Sequence, residues 1–170
     1  MMTATLAEGK TILSNCAMEP EIVALAEYLN SVGAKISGAG TPVITIEGVA
    51  KIGGGEFTTI ADRIEAGTFA IMAAATNSEL TISDCRPDHL ESLLAMFTKI
   101  GVPYTSTATT LTILKHGVLK ALDIKTHEYP GFPTDLQSPY TILMTQAEGM
   151  AIVHETIYDR RLLFTDMLTQ

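Results

Sequence analysis

Basic residues are scarce in this sequence of 170 residues: 11 Lys and Arg stand against 19 Asp and Glu, a formal net charge of −8. A chain this acidic lacks the cationic face that neutralises phosphates, which argues against binding nucleic acid or an anionic membrane surface. Charge of either sign is thin, at 18% of residues against about 25% in an average soluble domain. Cysteine is nearly absent, and Cys16 and Cys85 alone build neither a disulfide framework nor a zinc site. His89, His116, His127 and His154 show no pairing at metal-ligand spacing. Long apolar runs are missing too: the longest, Phe69 to Ala75, is far short of the ~20 residues of a membrane span. The first ten residues carry neither the cationic stretch nor the apolar core of a signal peptide. The expectation is a cytoplasmic, reduced, metal-free protein.

What the chain has in quantity is apolar residues, 46% of the total, enough for a core and too many for disorder. They are arranged in a repeat. Ala7 to Cys16 reads AEGKTILSNC, and Thr76 to Cys85 reads TNSELTISDC. Each is followed by a proline, Pro20 or Pro87, suited to the first turn of a helix. Apolar residues then recur at helical spacing, at Ile22, Leu25, Leu29 and Val32, and at Leu90, Leu93, Leu94, Phe97 and Ile100. Each run stops at a glycine, Gly33 or Gly101, fit for a left-handed cap. Extended segments follow at Val43 to Ile46 and Leu111 to Leu114. A third copy is expected from Ala147-Glu148-Gly149, with a strand through Met150 to Val153 and a helix entered near Tyr158. The period, counted between Gly9, Ser78 and Gly149, is about seventy residues.

The sequence opens in a helical pattern, Met1 to Leu6, and closes in another through Leu163 and Met167, with no cap at either end. A fragment of a longer chain is therefore expected. The best internal boundary runs from Gly53-Gly54-Gly55 to Asp62-Arg63. No Lys-Ser/Thr follows those glycines to complete a phosphate loop, so they are read as a loop or bulge.

A series of segments then stands in a telling order: Glu19-Pro20-Glu21-Ile22-Val23, Leu29 to Ile36, Ile44 to Val49, Asp62 to Phe69, Tyr129 to Gln137, Ala147-Glu148-Gly149 and Glu155 to Arg161. The chain resembles the UDP-N-acetylglucosamine 1-carboxyvinyltransferase family, the enolpyruvyl transferases of bacterial peptidoglycan synthesis. The resemblance extends over essentially all 170 residues, and Phe132-Pro133-Thr134-Asp135 is its most diagnostic stretch. It implies an α/β fold of α+β repeats, the inside-out α/β barrel with helices packed inside, in two similar domains. Residues 1–60 would be the last repeat of one domain and residues 61–170 the first repeats of the second, both incomplete. The family's N-terminal lysine and asparagine, its loop with the reactive cysteine and its phosphate-binding arginines lie outside this sequence. Cys16 and Cys85 do not align with that cysteine and read as small apolar filler.

The implied reaction moves the enolpyruvyl group of phosphoenolpyruvate onto the 3-hydroxyl of UDP-N-acetylglucosamine, with release of phosphate. The attacking alcohol must lose a proton, and a positioned carboxylate that takes it is typically worth ~10²–10⁴ in rate. By position, Asp135 is a helix cap, with Ser138-Pro139 an equally good helix start. The resemblance instead makes Asp135 the general base and a substrate-binding residue. It also aligns Ile157 with a main-chain contact to the sugar nucleotide. Arg161 is left open between phosphate holder and exposed helix arginine, and Glu19 and Glu21 suit the first turn of their helix. The implied partners are the two small-molecule substrates and the missing remainder of the chain. Nucleic acid, membrane, metal and tightly bound cofactor are not called for. Two other readings stand beside this one: the shikimate-pathway enolpyruvyl transferase, against which Gly131 to Gln137 argues, and a non-catalytic nucleotide-sugar-binding repeat module.

Overall fold

The computed structural model describes residues 1–169 and divides the chain into two compact units, Met1–Ile60 and Ala61–Gln170. The first unit holds a short helix α1 (Met2–Thr5), strand β1 (Lys10–Ser14), helix α2 (Pro20–Ser31) and strands β2 (Lys35–Ser37) and β3 (Val43–Glu47). The sheet runs β1-β3-β2 with both pairs antiparallel, placing Ile12 opposite Thr45 and Ile36 opposite Ile46. Strand alternation sends Ile44 and Ile46 inward, where they meet Ala26, Leu29, Ala34 and Ile36. Residues 48–62 form no regular structure, and the Gly53 N–H is tied to the Val32 carbonyl at 2.7 Å. The glycine run is a loop.

The second unit repeats the pattern. Helix α3 (Arg63–Ala75) starts at Asp62, whose Oδ1 accepts from the Ile64 and Glu65 N–H groups at 2.8 and 3.0 Å. Strand β4 (Leu80–Ser83), a 3₁₀ turn (Pro87–Leu90), helix α4 (Glu91–Ile100) and strands β5 (Tyr104–Ser106) and β6 (Thr110–Ile113) follow, with sheet order β4-β6-β5. Helices α2, α3 and α4 end alike. A left-handed residue, Gly33, Asn77 or Gly101, turns the chain so that the next N–H returns to a carbonyl five residues back. Those bonds are Ala34 to Leu29, Ser78 to Ala73 and Val102 to Phe97, all at 2.9 Å. The strand ends match as well. Asn15 and Asp84 are left-handed, and the cysteine after each donates its N–H to the matching hairpin, Cys16 to Pro42 and Cys85 to Thr109.

The remaining elements are β7 (Ile124–Lys125), a 3₁₀ turn (Thr134–Leu136), α5 (Gln137–Met144), β8 (Val153–His154) and α6 (Thr165–Leu168). β7 and β8 pair in parallel on either side of α5. The core of this unit joins three helices to the strands: Ala70, Ile71 and Ala74 of α3, Leu93, Phe97 and Ile100 of α4, and Tyr140 and Leu143 of α5 meet Leu111 and Ile113 of β6 and Ile124 of β7. Here the third copy departs from the sequence reading. The strand is only Val153–His154, and no helix starts near Tyr158; residues 159–164 are turns. The cause is local. The Glu155 carboxylate takes the N–H groups of Ile157 and Tyr158, and Arg160 is left-handed at φ 60°, which an α-helix does not tolerate.

Candidate functional site

Asp135 sits in the 3₁₀ turn between two anchored flanks. Leu136 and Gln137 are fully buried on one side, and Phe132 on the other is buried edge-on against Tyr140 at 5.3 Å. Residues 134 and 135 are pushed outward by these neighbours. Close packing of α3 against the turn depends on Gly67, because a Cβ there would stand 2.7 Å from Leu136 Cδ1. The Asp135 carboxylate makes no cap to α5, whose N-terminus carries no side-chain bond. It instead accepts a hydrogen bond from Arg161 Nη2 at 2.5 Å, with the two side chains 51% and 33% exposed. The Arg161 guanidinium also lies over the Tyr158 ring, 5.2 Å from its centroid. Arg161 therefore lies in a turn beside Asp135, outside any helix.

One side chain draws the surrounding segments together. Glu155 Oε2 accepts from the Thr134 hydroxyl at 2.7 Å. Its Oε1 accepts from the Thr126 hydroxyl at 2.9 Å and from the Ile157 and Tyr158 N–H groups at 2.8 and 3.2 Å. Burial by itself raises the Glu155 carboxyl, but these four donors together outweigh it and hold the group below the usual glutamate range. Thr126 is fully buried and continues the network: its hydroxyl accepts from the Thr156 N–H at 2.8 Å, and its carbonyl accepts from the Thr156 hydroxyl. The Tyr129–Pro130 peptide is cis, Gly131 closes the turn with its N–H on the Glu128 carbonyl at 2.8 Å, and the Arg63 guanidinium covers the Tyr129 ring.

Asp135 and Ile157 are thus brought to one network, each adjacent to a partner of Glu155. The Ile157 N–H is occupied by Glu155. The sequence reading missed Glu155, Thr126 and Thr134. The signal for two of them lay in the quoted segments themselves, as the residue before Asp135 and the acid two before Ile157. Cys85 is buried and its thiol is pushed up, chiefly by burial, as befits a packing residue; Cys16 is half-buried. Among the described residues no three His, Cys, Asp or Glu side chains are grouped to hold a metal ion, and no helix is long and apolar enough to cross a membrane. A groove of about 380 Å³ in the first unit, along β2, includes Asn30, Lys35 and Glu47. The Asn30 amide there is closed on both backbone groups of Ile36, a structural arrangement.

The whole chain, residues 1–170, matches the model of the family described as EPSP synthase (3-phosphoshikimate 1-carboxyvinyltransferase). It is 48% identical over 171 residues to the UDP-N-acetylglucosamine 1-carboxyvinyltransferase of Solibacter usitatus (strain Ellin6076), a match over 100% of this chain and 41% of that protein. It is likewise 48% identical to UDP-N-acetylglucosamine 1-carboxyvinyltransferase 2 of Geobacillus kaustophilus (strain HTA426), over 99% of this chain and 39% of that protein. The chain therefore spans about 40% of the length of these relatives. Among solved structures, the enolpyruvyl transferase NikO from Streptomyces tendae superposes with a TM-score of 0.88 at 21% identity, covering 99% of this chain and 40% of that one. At that identity the likeness concerns the fold alone, and the fold is that of the enolpyruvyl transferases.

Proposed function

The chain belongs to the EPSP synthase family of carboxyvinyl transferases, and from that membership we propose that the whole protein transfers the enolpyruvyl group of phosphoenolpyruvate to the 3-hydroxyl of UDP-N-acetylglucosamine. The names of the relatives at 48% identity support this acceptor. On this reading residues 1–60 close one domain of the family fold and residues 61–170 begin the other. The single observation that carries the chemistry is the placement of Asp135. Its carboxylate projects from a turn with buried flanks, caps nothing and is held by one guanidinium. A carboxylate so held can take the proton of the sugar hydroxyl as the oxygen attacks the enolpyruvyl carbon. Elimination of phosphate from the adduct then restores the double bond. Ile157 offers its main chain to the sugar nucleotide. The proton donor to the enolpyruvyl methylene and the cations that hold the phosphate belong to the rest of the protein. Both reactants are substrates, so no bound cofactor enters. The reading places the enzyme in the bacterial cytoplasm, at the first committed step of peptidoglycan synthesis, and so in cell shape and division.

Asp135→Asn in the full-length protein tests it. The amide keeps size and hydrogen-bonding reach but cannot accept the proton, so turnover falls by ~10²-fold or more while the melting temperature holds. Near-normal turnover rules out the general base. A melting-temperature rise with shikimate 3-phosphate, and none with UDP-N-acetylglucosamine, moves the acceptor to the shikimate pathway.

A further inference from the structure

The two residues that the functional reading assigns to substrate lie far apart in sequence, at 135 and 157. What joins them is Glu155. Its Oε2 holds the Thr134 hydroxyl at 2.7 Å, one residue before the proposed base. Its Oε1 holds the Ile157 N–H at 2.8 Å, on the proposed main-chain contact itself, and the Tyr158 N–H at 3.2 Å, on the residue whose ring supports Arg161. The Thr126 hydroxyl at 2.9 Å pins the same oxygen to a fully buried residue beside β7. The carboxylate is therefore the common bolt of three segments, and its own side chain is only half-buried. Helix packing does not replace it, because residues 155–164 contain no helix or strand.

We propose that Glu155 is a positioning residue for the transfer: its two oxygens set the spacing between the Asp135 turn and the Ile157 main chain. The proposal rests on the functional reading given above for Asp135 and Ile157. Glu155 needs no contact with substrate in this role. A carboxylate is required for its two acceptor atoms at one fixed separation more than for its charge. Glutamine can reproduce most of this, with its carbonyl toward the two N–H groups and its amide toward Thr134, whose hydroxyl reverses to accept. Aspartate is shorter by one carbon–carbon bond, about 1.5 Å, and cannot reach both sides. A displacement of that order at a reacting group costs ~10²-fold.

The experiment is steady-state phosphate release from phosphoenolpyruvate and UDP-N-acetylglucosamine by the full-length protein, with melting temperature and amide exchange measured on the same samples. Glu155→Ala is expected to lower kcat by ~10²-fold and to raise KM for the sugar nucleotide, and to leave the pH of half-maximal rate where it was, because the base is still present. Glu155→Gln is expected to recover at least ~10-fold of the loss, and Glu155→Asp to recover little. The Ile157 and Tyr158 amides should exchange faster in Glu155→Ala, with that of Leu143 unchanged. Wild-type kinetics in Glu155→Ala overturn the proposal, as does a Gln variant no better than Ala. Should Glu155→Ala fail to fold, Thr134→Val decides: it removes one donor only, and a ~10-fold lower kcat at unchanged melting temperature is expected, wild-type kcat overturning the proposal. A wild-type protein that releases no phosphate sinks the functional reading alone. The exchange of Ile157 and Tyr158 then still decides whether Glu155 holds them.

Discussion

The two units use one strand-helix-strand-strand motif and close it differently. In the first, the chain entering β1 runs so near the end of β3 that the Gly48 N–H meets the Gly9 carbonyl at 2.8 Å. A Cβ at Gly48 would lie 1.6 Å from the Ala7 carbonyl oxygen. In the second, the place next to β6 corresponding to Gly48 is held by the exposed Lys115, and a side chain closes the joint. Asn77 brackets the backbone of His116, taking its N–H at 2.9 Å and giving to its carbonyl at 3.2 Å. The His116 ring adds contacts to the Ala74 and Gly117 carbonyls. Backbone-to-backbone closure demands glycine; closure through an amide frees the neighbouring position for any residue. The same motif therefore leaves different traces in sequence. The two units differ in depth as well, since one helix packs on the sheet in the first and three helices pack with the sheet residues Leu111 and Ile113 in the second.

The largest expected effect lies in the deeper core. Phe97→Ala empties the centre of the second unit and should cost ~3–5 kcal/mol by urea unfolding. Leu29→Ala in the shallower core should fall at the low end of its class, ~2–3 kcal/mol. Equal losses would erase the contrast in depth. Gly48→Ala should cost roughly 2 kcal/mol, because the Ala7 carbonyl must move, and amide exchange should rise across β1 while β4 stays protected. Protection lost equally in both strands would show the units to melt together. The smallest effect concerns Tyr140, whose hydroxyl donates to the Leu122 carbonyl at 3.1 Å. Burial first, and the nearby Asp123 charge second, push it up to about 12. The folded chain thus holds the phenol proton more tightly than the unfolded chain. The stability this gives is complete below the ordinary value of ~10 and is lost as pH rises from there towards 12. Tyr140→Phe should flatten that alkaline loss in a melting-temperature profile. An unchanged profile would exclude Tyr140 as its source.

Much of the repeat was legible because its signals are local. Pro20 and Pro87 open helical turns and Gly33 and Gly101 end helices, each for a reason confined to one residue. Asn77 plays the same ending role without a glycine, so the close of α3 carries no glycine signal. The candidate site was legible only in part. Asp135 reads as a cap in its own neighbourhood, and what takes it out of that role is Arg161, 26 positions on. Glu155 reads as one more acid until Thr126, 29 positions before it, and Thr134, 21 before, are folded against it. The helix expected near Tyr158 failed for the same reason: periodicity describes side chains, and the decisive event was a carboxylate competing for backbone N–H groups.

The bare backbone at Gly67 has a bearing on how this segment can change over generations. Leu136 occupies the space that a side chain at 67 would take, and Asp135 is its neighbour. A larger residue at 67 arising alone presses on the ends of the Leu136 and Leu90 side chains, which must shift. A smaller residue at 136 arising alone leaves a hole beneath the turn. Positions 67 and 136 are therefore expected to vary in size together. Variation at a helix position with no polar atom to offer would bear on the turn that carries Asp135 through a methyl group, and would pass for a stability defect in any screen that reads expression alone.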